Sequence, residues 1–96
     1  MKENLLMKYA EQLAVEIELL CQSLSKTKDC SNTVFQIRKS SSSVFANITE
    51  AQHPQSLPDM LAKLKIARKE CFETESWLKI LFSTGHIFVV ILIYMY

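Results

Sequence analysis

The stretch Val34-Phe35-Gln36-Ile37-Arg38-Lys39-Ser40-Ser41-Ser42-Ser43-Val44-Phe45-Ala46-Asn47-Ile48 decides the fold. Its serine run has the composition of a flexible linker. The residues around and within the run say otherwise. Val34, Ile37, Ser41, Val44 and Ile48 follow one another at steps of three, four, three and four. That spacing is one face of a helix packed lengthwise against another. Serine is a mediocre helix former, but a small side chain on a seam lets two helices approach closely. The spacing predicts a helix over residues 32–52.

Toward the N-terminus, residues 26–32 are polar and read as a turn, with Asp29 or Ser31 as the N-cap of this second helix. Before the turn, Leu6, Ala10, Leu13, Ile17, Leu20 and Leu24 recur at alternating four- and three-residue steps, predicting a first helix over about 3–26. Toward the C-terminus, His53-Pro54-Gln55 breaks the chain. Ser56 then stands as an N-cap with Asp59 three residues on, and Pro58 fits the first turn. Met60, Leu64, Ala67, Cys71, Thr74, Leu78 and Leu81 predict a third helix over 57–84, stopped by Gly85. Three seams with short connections describe an all-α, antiparallel helical bundle in one domain spanning 1–96. Three helices also leave an apolar groove open.

Residues 87–96, Ile-Phe-Val-Val-Ile-Leu-Ile-Tyr-Met-Tyr, are uncharged and apolar. They fall short of the ~20 residues a helix needs to span a bilayer. Their low charge and β-branched content mark an aggregation-prone segment. They lower the expected solubility, and they leave a membrane-held peptide as an alternative reading.

Composition narrows the function. One glycine and two prolines in 96 residues leave too few turns for a β-sandwich or barrel, and too little glycine for a phosphate-cradling loop. A net charge of +1 is no basic tail, although a local patch acts without a global excess. Cys21, Cys30 and Cys71 form no CxxC pair, and the N-terminus carries both charge signs without an apolar run. Reduced thiols, no signal peptide and a cytoplasmic location are the expectation.

Gln36-Ile37-Arg38-Lys39, followed by Val44-Phe45-Ala46-Asn47-Ile48-Thr49-Glu50-Ala51, resembles the second-helix signature of the small bacterial four-helix-bundle proteins known as 23S rRNA intervening-sequence proteins. Met60-Leu61, Leu64, Ala67, Glu73, Glu75 and Leu78 are similar to that family's third-helix run, and Thr84-Gly85-His86-Ile87 is similar to its turn before the last helix. The resemblance covers about residues 5–87. Phe45 stands where the family has proline and Ala51 where it has glycine, and the apolar segment 87–96 replaces an amphipathic fourth helix. The resemblance implies a homopentameric assembly without enzymatic activity. One branch of the family is encoded in intervening sequences of ribosomal RNA genes. Another serves as accessory protein to the reverse transcriptase of diversity-generating retroelements, binding nucleic acid and the enzyme through a basic surface.

Arg38 and Lys39 precede the serine run, and residues 63–69 hold Lys63, Lys65, Arg68 and Lys69 with no acid. Lys65, Arg68 and Lys69 are three or four apart and share a helix face. These six are the candidate contacts to RNA or DNA phosphates; a solvated helix surface is the competing reading. Asn47 and Glu50 form a candidate structural polar pair, bonding across helices or subunits. Ser40 to Ser43 has no nucleophile elbow and no nearby histidine, so no catalytic residue is assigned. His53 and His86 flank the third helix as loop and turn residues, and neither they nor any other group supplies a metal or cofactor site. Cys71 reads as core, Cys21 as half-buried and Cys30 as the exposed thiol. The function this supports is a non-enzymatic, self-assembling bundle that binds nucleic acid or a nucleic-acid enzyme such as a reverse transcriptase. An adaptor module without nucleic-acid contact is the alternative.

Overall fold

The structure, a computed structural model, describes residues 4–26 and 28–85. Three helices account for most of them: α1 (Leu5–Leu24), α2 (Ser31–Ala51) and α3 (Leu57–Ser83), with a 3-10 turn at Lys28–Cys30 before α2. The bundle is all-α, as the three seams predict, and α2 runs as one helix through the serine run and Phe45. The segment 87–96 and His86 lie outside the described residues.

Side-chain caps start α1 and α3. The Asn4 side chain accepts the Met7 amide at 3.1 Å and caps α1. Ser56 accepts the Asp59 amide at 3.1 Å and caps α3, with Pro58 in the first turn. Asp59 reaches back to the amide of Gln55, one residue before the cap, at 3.1 Å. The start of α2 differs from expectation. Its N-cap is Cys30, without a side-chain cap, rather than Asp29 or Ser31. The 3-10 turn swings the Cys30 thiol inward, to 3.8 Å from the Leu24 carbonyl, so packing replaces capping there. After α3, Gly85 takes φ +81°, the left-handed conformation that ends a helix at low cost for glycine.

The pairing is antiparallel and centred on α2. Arg38 meets Glu18 and Gln52 accepts from Asn4, while Ser40 meets Thr74 and Glu50 meets Lys63. In both helix pairs the numbering rises in one helix as it falls in the other. α2 packs on α3 more extensively than on α1. The long dimension of 43 Å matches the ~40 Å expected for the 27 residues of α3.

Two apolar clusters lie along α2. Ile17, Cys21 and Leu24 meet Cys30, Val34, Ile37, Leu78 and Leu81 at one end, with Leu13, Leu20 and Trp77 against them. Ala10, Val44, Ile48 and Ala67 form the other, with Met7 and Phe45. Between them the buried hydroxyls of Ser40 and Thr74 bond at 2.7 Å. The entire α2 seam is buried, Ser41 included, and Ser40 beside it is buried as well.

The third seam breaks at Cys71, which is exposed. The physical reason is the missing neighbour. α1 and α3 flank α2 without closing on each other, leaving a cleft of about 330 Å³. Tyr9, Gln12, Leu13 and Glu16 of α1 face Cys71, Thr74 and Glu75 of α3 across it, over a floor of Ser41 and Val44. This is the groove expected of three helices, but glutamates stand on both walls. The thiol readings are therefore corrected. Cys71 sits on the cleft instead of in the core, Cys30 is buried rather than exposed, and Cys21 is fully buried rather than half-buried. Leu6 of the first seam is also exposed, and Met7 packs inward in its place.

Candidate nucleic-acid interface

The middle of α3 carries Lys65, Arg68, Lys69 and Phe72 at helix spacings of three and four, so one face holds all of them. All are exposed. They line a shallow depression of about 280 Å³ on the outer side of α3. The Arg68 guanidinium lies 5.7 Å from the centroid of the Phe72 ring, within cation–π reach. Among the described residues, Lys65, Arg68 and Lys69 enter no ion pair. The arrangement is a strip of three cations without ion pairs among the described residues, followed by an exposed aromatic ring, and it suits phosphates and flat apolar groups.

The other sequence-predicted cations are elsewhere. Arg38 is turned toward α1, with Nε donating to Glu18 Oε1 at 3.0 Å and Nη2 to Oε2 at 3.0 Å. Lys63 reaches Glu50 of α2 at 3.6 Å. Both therefore act as helix-to-helix ties. Lys39 is exposed on α2 and near Glu70. Burial, then the hydrogen bond and charge of Glu73, push the Glu70 carboxyl above its usual range, while Lys69 and Lys39 pull it back. The six candidates thus separate into a strip of three on α3, two cations engaged in ties, and Lys39.

The Asn47–Glu50 pair is divided. Asn47 Nδ2 donates within α2 to the Ser43 carbonyl at 2.8 Å and the Ser43 hydroxyl at 3.1 Å. Glu50 is exposed and pairs with Lys63. Asn47 is half-buried, so no fully buried polar pair forms. His53 is exposed beside Glu50, Gln55, Asp59 and Lys63 in a second shallow cleft. Among the described residues, no three His, Cys, Asp or Glu side chains come together to hold a metal ion. No described helix is long and apolar enough to cross a membrane.

Phe72 was not among the residues the sequence singled out. Its signal was present: it lies three, four and seven residues after Lys69, Arg68 and Lys65. It does not belong to the seam, and only the structure leaves it outside the bundle.

Comparison with known proteins agrees with this architecture. No functionally curated protein matches the chain. A solved structure of a protein of unknown function, from the S23 ribosomal protein family of Bacteroides thetaiotaomicron, is similar at 38% identity and a TM-score of 0.81. The match covers 85% of this chain and 76% of that one. The sequence profile of the 23S rRNA-intervening sequence proteins matches residues 2–90. The helical seams, the caps, the solved relative and this profile agree: the chain belongs to the 23S rRNA-intervening sequence protein family.

Proposed function

We propose that the protein works without chemistry of its own, as a self-assembling helical bundle in the cytoplasm that binds nucleic acid through the outer face of α3. The observation that carries this reading is the strip of Lys65, Arg68 and Lys69, which has no ion pair among the described residues. Cations not already held in ion pairs gain most from phosphates, because each neutralised phosphate releases counterions. A closed assembly, such as the pentamer the family resemblance implies, would repeat the strip around a ring and raise the local potential. A nucleic-acid enzyme such as a reverse transcriptase is the partner to test first.

The test is fluorescence anisotropy of labelled RNA and DNA over a range of salt concentrations. Three phosphate contacts on a single strand predict a log–log salt slope of about −2 per protomer. A variant carrying K65E, R68E and K69E should lose binding at every salt concentration. Absence of binding at low salt, or full binding by that variant, would overturn the reading.

A second observation favours an adaptor role without nucleic acid. Between α1 and α2, Ala14, Val15, Leu19 and Phe45 form an apolar groove flanked by Glu11 and Glu18. Val15 is 52% and Leu19 58% exposed. An apolar surface with an acidic rim suits a protein contact, including one with another copy, and repels nucleic acid. Light scattering on a V15E variant separates the roles: a fall in mass with retained RNA binding assigns that groove to assembly alone.

A further inference from the structure

We propose that the α3 strip is selective for single-stranded nucleic acid, with Phe72 as the platform on which a base stacks. The proposal rests on the reading of that strip as a nucleic-acid surface and goes further by naming the form of strand it takes. Phosphates alone call for cations. They do not call for an exposed aromatic ring among those cations, and apolar surface gains nothing against a phosphate. Phe72 is 56% exposed and lies with Lys65, Arg68 and Lys69 around one depression. The Arg68 guanidinium lies over one face of the ring, 5.7 Å from its centroid, which adds a positive charge to the platform.

Base faces are the flat, π-rich surfaces that such a ring matches, and aromatic stacking of this kind tolerates any base. In a duplex those faces are stacked on one another and out of reach. In a single strand they are available. Geometry agrees on scale. Lys65 and Phe72 are seven residues apart, about 10 Å along the helix. That length accommodates about three stacked nucleotides at roughly 3.4 Å each. Lys65, Arg68 and Lys69 then hold the backbone while Phe72 takes a base.

The experiment measures affinity of the full chain for short oligo-uridine, oligo-thymidine and an RNA duplex of equal length, all at one salt concentration. The expected result is tighter binding of single strands than of duplex. F72A and F72L should weaken single strands about tenfold, in line with the loss of one stacked base, and F72W should retain the affinity. Duplex binding should not respond to these changes. A preference between uridine and thymidine strands identifies RNA or DNA as the source and leaves the inference standing. If F72A and F72L bind single strands as the parent does while K65E with R68E abolishes binding, the nucleic-acid surface stands and the stacking inference falls. If no strand binds at low salt, the surface itself is misassigned, and the inference falls with it. A drop in mass by light scattering on F72L would place Phe72 in a contact between copies and overturn the inference by a third route.

Discussion

The guanidinium of Arg38 grips both carboxylate oxygens of Glu18, at 3.0 Å each, and ties α2 to α1. This bond lowers the Glu18 carboxyl below its ordinary value and raises Arg38. A carboxylate with a depressed folded-state pKa contributes stability that is present above its unfolded value and lost as pH falls through the folded one. Thermal unfolding of the parent and E18Q should therefore differ by a constant amount above the ordinary carboxyl value of 4.5. The difference should close below it. Both side chains are partly exposed, so added salt should shrink the gap as well. A gap that ignores both pH and salt would assign the effect of E18Q to something other than this pair.

The same contact predicts how the cations divide in binding. R38A should leave the salt slope of RNA binding unchanged, because Arg38 already has a partner. K65A should make the slope shallower by about 0.7, one single-strand phosphate contact. Equal effects from the two variants would put Arg38 back on the interface.

Ser40 and Thr74 bond at 2.7 Å between α2 and α3, and both are buried. Removing one partner strands the other hydroxyl away from water, although each retains a backbone carbonyl of its own helix. S40A and T74V should each cost about 1 kcal/mol in urea unfolding. The double variant should cost less than their sum, since the second change removes a group already left without its partner. Strict additivity would mean that the two hydroxyls do not cooperate.

Thiol titration distinguishes the three cysteines. Cys71 should react in the folded protein, while Cys21 and Cys30 should wait for denaturant. Partial desolvation against the cleft wall and the neighbouring Glu75 hold the Cys71 thiol above its ordinary value of 9.0, so its rate should climb steeply in the alkaline range. In C71S the fast phase should vanish. A fast phase surviving in C71S would mean that the α1–α2 end opens readily.

Leu78 and Leu61 are both leucines of α3, but one is fully buried and the other 47% exposed. L78A should cost about 2–5 kcal/mol by opening a cavity against Ile37 and its neighbours. L61A should stay within about 0.5 kcal/mol. Urea midpoints give both values, and a large loss from L61A would signal a contact outside this chain.

Much of the fold was legible in the residues because a helix writes its contacts into spacing. The steps of three and four from Val34 to Ile48 overrode the linker composition of the serine run, and every member of that seam is buried. Ser56 and Pro58 marked the start of α3 as local hydrogen bonding requires. The candidate site was legible only in part. Spacing put Lys65, Arg68 and Lys69 on one face, but it is silent on partners from other helices. Arg38 meets Glu18 from twenty residues away, and Lys63 meets Glu50 across a turn.

Residue order alone was enough for three helices, the inward seam of α2 and most of the other two, the cap of α3 and the family, because these depend on neighbours within a few positions. Which apolar and charged residues stay uncovered was settled by packing between helices. Cys71 continues a seam yet faces a cleft, and Cys30 sits in a turn yet is buried. Phe72 lies beside Lys65, Arg68 and Lys69 on the outer side of α3. Burial is a property of how many helices surround a face. In this bundle α1 and α3 both pack on α2 and leave the side between them open.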